Sequence, residues 1–348
     1  GGIQCHDCKC RAMENQMSNP VYVDGMLVDW GTSLFFKTPA KPEKPKKGLT
    51  GLSIPRRKPK TGGVVGQGGA KAIRSKLGSI AKRTPEVMVK ISGGGKGMKH
   101  IKDHLDYISR NGKLELEDQD GETILGRDGL NKLHDELQCG GVVKLPDEGE
   151  KREAFNIVLS MPAGTDELAL KRAARDFASR EFENHQYVMA LHTYDTDPDP
   201  KRPLHPHVHL CVKARSLDGT RLNPKKADLQ RWREGFAEAL REHGIEAAAT
   251  NRLQRLERKR GEKKSVEEMR KRGKAPDRVG RSKASPERVK KSKDAEIEVL
   301  KSYQQITKVL AESDDREDRE LALNVTAHLD KQTRHLRRDK SKDQGTER

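Results

Sequence analysis

The chain has 348 residues, of which 32% are hydrophobic, 4% aromatic and 35% charged, with a mean hydropathy of −0.92. That is too little apolar side chain to fill a core along the whole length, so one compact domain with long polar flanks is expected. Seventy Lys and Arg against 53 Asp and Glu give a net charge of +17, which favours a polyanionic partner such as nucleic acid; no run approaches the roughly 18 apolar residues of a membrane span.

Residues 1–85 are rich in Gly, Pro and Lys, as in KTPAKPEKPKKG and RRKPKTGGVVGQGG, and read as a flexible basic arm. Its tip, GGIQCHDCKC, lacks an initiator Met and a signal-peptide pattern, as an incomplete or processed segment would. Cys5, His6, Cys8 and Cys10 are a candidate zinc cluster but lack the second ligand pair of a zinc finger or ribbon, which favours an unstructured tip. Five cysteines, odd in number and without framework spacing, argue against structural disulfides and for a reducing cytoplasm.

EVMVKIS (86–92) alternates Val87, Val89 and Ile91 as a strand does, and glycines 93, 94, 95 and 97 end it. A helix is predicted from Met98 to about Asn111, with Met98, Ile101, Leu105 and Ile108 on one stripe. AFNIVLSM (154–161) is a second strand, and Asp166 to about Phe182 a helix with Leu170, Ala174, Phe177 and Ala178 inward. YVMALHTY (187–194) and HVHLCVKA (207–214) are two more strands, joined by the Pro- and Asp-rich DTDPDPKRPLHP. Leu229, Trp232, Phe236 and Leu240 mark another helix, opened by Asn223-Pro224 and closed at Gly244.

This order predicts an α+β fold, a central, mostly antiparallel sheet with helices packed on it, over residues 86–252. Residues 253–348 read as a charged helical or disordered tail with one weak amphipathic helix (Ile297, Leu300, Ile306, Val309, Leu310). Both flanks are expected to be basic and partly disordered.

Two groups of residues carry chemistry. In LHPHVHL, His207 and His209 project from one face of a strand about 7 Å apart. A hairpin would bring His192 from the preceding strand alongside them. Three neutral imidazoles with open positions suit a catalytic divalent metal, and Asp195 and Asp197 are candidates to orient an imidazole. His205 shares the strand parity, but Pro206 follows it, which places it at the loop edge as a neighbour of the ligands or of phosphate. The second group is HLDYISRNGKLEL (104–116). On a helix, Tyr107 lies about 140° from the apolar stripe, beside His100, His104 and Asn111. An off-stripe Tyr among polar groups suggests a phenol used for its oxygen. A phenol beside a metal suggests a nucleophile whose phosphodiester adduct resists water.

In that combination the chain resembles the MobP-type plasmid mobilization relaxases of the HUH endonuclease superfamily, close to the enzymes that nick T-DNA borders. The resemblance rests on HLDYISRNGKLEL, NIVLSMPAGTD (156–166) and ALHTYDTDPDPKRPLHPHVHL (190–210), in that order, with 222–252 similar to the closing segment. It implies Tyr107 as the nucleophile forming a 5′-phosphotyrosyl link, and His192, His207 and His209 as ligands of magnesium, manganese or zinc. It also implies Ser160 as a DNA contact near the nick, with Arg110 as a further contact or supporting group. Lys213 stands where the family often has Asn, and is expected to face phosphate. The implied partners are single-stranded DNA at a transfer origin, accessory relaxosome proteins, a coupling protein and a type IV secretion system. The implied setting is the bacterial cytoplasm, with passage into a recipient cell; the basic end HLRRDKSKDQGTER is a candidate secretion signal. Rival readings are a rolling-circle replication initiator, a non-enzymatic DNA-binding accessory protein and a metal hydrolase unrelated to DNA.

Overall fold

The computed structural model describes residues 20–35, 67–200, 202–257, 269–273 and 285–343. Cys5, His6, Cys8 and Cys10 lie outside the described residues. The chain divides into two compact units, one of Thr84–Ala249 and one drawing on the segments before and after it.

Thr84–Ala249 is α+β. Its strands are β1 (Met88–Gly93), β2 (Leu116–Asp118), β3 (Thr123–Ile124), β4 (Ala154–Ser160), β5 (Tyr187–His192) and β6 (His207–Lys213). They form one sheet in the order β1-β4-β6-β5-β2-β3, every neighbouring pair antiparallel. Four helices belong to this unit, numbered after α1 (Pro20–Phe35) and α2 (Gln67–Lys82) of the other: α3 (Met98–Ile108), α4 (Gly126–Cys139), α5 (Glu167–Glu181) and α6 (Lys226–Glu242).

The central strand β6 is buried at all seven positions, so both of its faces are covered. Val208, Leu210 and Val212 join a core with Leu170, Phe177, Trp232 and Phe236 of α5 and α6. Cys211 lies on the opposite face, in a second core with Ile101, Leu105 and Ile108 of α3 and Leu130, Leu133 and Leu137 of α4. The alternation of the strand therefore sends Val208 into the α5/α6 core and His207 and His209 to the other side.

The stripe Met98, Ile101, Leu105 and Ile108 is buried as the spacing predicts. After α3 the chain turns sharply through three residues with positive φ: Arg110 (52°), Asn111 (59°) and Gly112 (82°). At Gly112 a Cβ would come within 2.9 Å of the Gly126 carbonyl carbon, so only glycine fits this crossing. The structure adds β2, β3 and α4, which the periodicity had not marked out.

The other unit contains α1 (Pro20–Phe35), α2 (Gln67–Lys82), α7 (Pro286–Ala311) and α8 (Arg316–Asp343). Where the sequence reads as a flexible arm and a weakly helical tail, these four helices bury Val23, Leu27, Ile73, Leu77, Tyr303, Ile306 and Val325 together. Gly31 of α1 permits the approach, since a Cβ there would overlap the Ile73 side chain. Arg74 bonds Asp24 at 2.6 Å and Asp318 at 2.6 and 2.8 Å, linking α1, α2 and α8. The apolar faces find one another across more than 200 residues of sequence, which composition averaged over each flank conceals. No described helix is long and apolar enough to cross a membrane.

Candidate functional site

His192 ends β5 directly opposite His207 in the β5–β6 register, and His209 faces Ala190. The three rings form a near-equilateral triangle, with centroids 5.2 Å (His192–His207), 4.7 Å (His192–His209) and 5.0 Å (His207–His209) apart. Each offers a ring nitrogen, and these lie within 4.8 Å of one another. Among the described residues this is the group able to hold a metal ion.

Burial and the neighbouring imidazoles disfavour protonation here. Burial first, and then the adjacent histidines, push His209 down to about 2; burial also takes His207 down to about 4 and lowers His192. All three are neutral at ordinary pH, the form that donates a lone pair to a metal. His209 Nδ1 is buried without a hydrogen-bond partner. His207 Nδ1 is 3.3 Å from the His205 carbonyl. His192 has Asp197 Oδ2 3.1 Å from Nδ1 and the Ile108 carbonyl 2.7 Å from Nε2. A neutral imidazole can donate to only one of them; with its proton on Nδ1 and given to Asp197, Nε2 would serve a metal only on leaving its 2.7 Å contact with the Ile108 carbonyl. Three neutral imidazoles with an unpaired buried nitrogen fit a divalent ion.

Asp197 is fixed in turn by Arg110, whose Nε and guanidinium nitrogen bond its two oxygens at 2.8 and 2.7 Å. Burial works to raise the Asp197 carboxyl, but the Arg110 bonds prevail and hold it well below the usual carboxylate range. The same guanidinium sits 4.7 Å from the centroid of the Tyr107 ring. The left-handed backbone at Arg110 is what turns this side chain back over the end of α3.

Tyr107 is 52% exposed. Its ring meets His209 edge-on at 6.0 Å and stacks near-parallel on His104 at 6.3 Å. His104 also meets His209 at 6.2 Å, and its Nε2 is buried without a hydrogen-bond partner. Sequence reading named His104 only as a neighbour of Tyr107. Its position three residues earlier, on the same side of α3, was the signal for a larger part.

The remaining candidates separate. Ser160 is opposite His207 in register but buried, and its hydroxyl donates to the Pro206 carbonyl at 3.2 Å. It ties the loop before β6 to β4. His205 is partly buried with its ring 5.9 Å from His207, at the loop edge. Asp195 is exposed and is not among the groups bonded to the histidines. Lys213 lies at the far end of β6, about 13 Å from His209 along the strand. Its ammonium is buried against the carbonyls of Leu137 and Gly140 and the Gln186 Oε1, so it holds the end of α4 and does not face a phosphate.

Residues 127–245 match the family model of the relaxase nuclease domain of MobA/VirD2-like type. The T-DNA border endonuclease VirD2 of Rhizobium radiobacter is 30% identical over 196 residues, covering 49% of this chain and 43% of that protein. VirD2 of Rhizobium rhizogenes is 31% identical over 197 residues, covering 49% and 42%. VirD2 of Agrobacterium fabrum is 31% identical over 197 residues, covering 49% and 40%. The match thus spans less than half the length of these relatives. The family segment includes the three histidines and begins after Tyr107.

Proposed function

We propose, for a chain whose histidine-bearing segment matches the relaxase nuclease domain, that it nicks and rejoins one DNA strand at a specific site, with Tyr107 as nucleophile. The observation that carries this reading is the placement of the Tyr107 ring 6.0 Å from His209, at the edge of a buried triangle of neutral imidazoles.

Tyr107 sits at the protein surface, where a DNA strand can reach its oxygen. The phenol gives its proton to solvent, and its oxygen attacks the scissile phosphorus. The bond from phosphorus to the 3′ oxygen breaks and that oxygen takes a proton from solvent, leaving a free 3′-hydroxyl and a 5′-phosphotyrosyl link. Attack by a 3′-hydroxyl on that link reverses the step and releases the tyrosine. Arg110 supports the phenol in two ways: its guanidinium packs over the Tyr107 ring, 4.7 Å from the centroid, and its grip on Asp197 fixes His192. His104, stacked on Tyr107, limits the directions the ring can take. A divalent ion held by His192, His207 and His209 would polarise the scissile phosphate and stabilise charge developing on it. Three imidazoles suit manganese or zinc at least as well as magnesium.

In this reading the recognised DNA is single-stranded and lies at a transfer origin, and the nick begins conjugative transfer. Accessory relaxosome proteins, a coupling protein and a type IV secretion system are the expected partners. The chain acts in the bacterial cytoplasm and is carried with the DNA to a recipient.

The test uses labelled single-stranded oligonucleotides tiled across the DNA flanking the gene, incubated with magnesium or manganese and run under denaturing conditions. One oligonucleotide is expected to give a protein adduct on the 5′ end of the fragment downstream of the cut and an upstream fragment ending in a free 3′-hydroxyl. The adduct should vanish in Tyr107→Phe. An adduct that persists in that variant, or cleavage with no protein-linked product from any oligonucleotide, overturns the reading.

A further inference from the structure

Beside the histidine triangle, the ends of β1 and β4 and the loop before β6 enclose a cleft of about 320 Å³. That is at the lower end of the roughly 300–1,000 Å³ range of small-ligand sites. The strand register fixes its place: Met88 pairs with Ser160, and Ser160 pairs with His207. Met88 is thus two strand spacings, about 10 Å, from the first proposed ligand.

The lining is mainly apolar. Met161, which is buried, and Pro162 are both part of it. Met88 is 43% exposed and Leu204 68% exposed, two large apolar side chains of the lining left in water. His205 adds an imidazole face, and Glu86 places a carboxylate in the lining. The Ser160 hydroxyl bond to Pro206 secures the loop that carries Leu204 and His205, so the cleft is held on both sides.

The chemistry selects the occupant. The lining contains no Lys or Arg to hold a phosphate and its large side chains are apolar, so the cleft does not continue a phosphate track. A flat, uncharged group with a π-face and polar edge would cover the Met and Leu side chains and stack on the imidazole. We infer that this cleft receives one unstacked nucleobase of the bound strand, next to the phosphate held at the histidines, with Met88 and Leu204 as its side walls. The inference rests on the single-stranded DNA reading above. It makes Met88 and Leu204 determinants of base recognition, separate from Tyr107 and its histidines.

The test compares binding of fluorescent dodecamers of dC, dA and dT with an abasic dodecamer of equal charge, by anisotropy in magnesium buffer. Met88→Ser combined with Leu204→Ser alters only exposed side chains and no charge. The double variant should bind at least one base-bearing strand about tenfold more weakly and the abasic strand as wild type does. Leu204→Trp, which fills the opening, should act in the same direction. Equal losses on abasic and base-bearing strands, or no loss on any, overturn the cleft assignment while leaving the DNA reading in place. Failure of the wild-type protein to bind any of the dodecamers overturns the DNA reading and the cleft with it.

Discussion

Arg110 grips Asp197 through two hydrogen bonds of 2.8 and 2.7 Å, and this pair joins the helix carrying the tyrosine to the loop that follows the first histidine strand. The Arg110 side chain is 13% exposed and that of Asp197 only 1%, so the charges have little water to fall back on. Removing one partner should therefore cost far more than a surface ion pair would. Asp197→Asn is expected to lose about 3 kcal/mol of stability in urea unfolding, because Arg110 is left without its countercharge. Affinity for manganese should also fall about 10- to 100-fold in equilibrium dialysis, since His192 loses the group that orients it. Unchanged metal affinity in a folded Asp197→Asn protein would show that the carboxylate has no part in holding His192.

The histidine triangle makes a direct prediction about metal. Manganese or zinc should raise the melting temperature of the wild-type protein, because an ion that binds only the folded state stabilises it in proportion to the logarithm of its concentration. His207→Ala and His209→Ala should each abolish that rise. The same increment in the double variant as in wild type would place the metal elsewhere.

His104 gives a third prediction. It stacks on Tyr107 and abuts His209 without hydrogen-bonding through Nε2, so its expected part is to position the phenol. His104→Ala should slow adduct formation in single-turnover experiments by about tenfold or more, as expected when a reacting group loses its orientation. Strand affinity and metal affinity should stay at wild-type values, and His104→Phe should recover part of the rate by restoring the stack. Loss of metal binding in His104→Ala would instead make His104 part of the ion site.

The ease of reading these features from sequence varied for physical reasons. Helix α3 and the histidine hairpin are visible because a local period and a local parity determine them: the stripe at 98, 101, 105 and 108, and alternation at 207 and 209. Strands β2 and β3 have only three and two residues, too few for alternation to be seen. Helix α4 contains Gly126 and Gly129 and a dense charge pattern that masks Leu130, Leu133 and Leu137. The bond from Arg110 to Asp197 spans 87 residues and depends on a left-handed turn, so nothing local announces it. Lys213 misled for the opposite reason. Its charge suggests phosphate, but the carbonyls of Leu137 and Gly140 at the end of α4 and the Gln186 side chain before β5 already satisfy it.

The helical unit around Tyr303 offers a prediction independent of function. Gly31 lies where α1 meets Ile73 of α2, with no room for a Cβ. Gly31→Val should force the helices apart and cost about 1–3 kcal/mol or more. Arg74→Met should also destabilise this unit, leaving the buried Asp318 without its main partner. Hydrogen exchange followed by peptide mass analysis would locate the effect. Faster exchange should appear in α1, α2, α7 and α8. Wild-type exchange in those helices would show that their packing does not depend on these contacts.

Glu117 on β2 supplies the acid dependence of the sheet unit. Its carboxylate is buried between Arg175, 2.8 Å from Oε2, and Lys171 at 3.2 Å, both on α5. Burial works to raise its pKa, but the two cations prevail and lower it. The sign follows from linkage. A carboxyl depressed in the folded state contributes fully above its unfolded pKa of about 4.3, and the contribution is lost as pH falls through the folded value. Glu117→Gln should therefore cost about 2 kcal/mol at pH 7, the scale of hydrogen bonds to charged groups. The difference from wild type should shrink as pH drops below about 4. Urea unfolding from pH 7 to pH 3 measures both. A gap that stays constant over that range would mean that the loss comes from packing and not from the charge on Glu117.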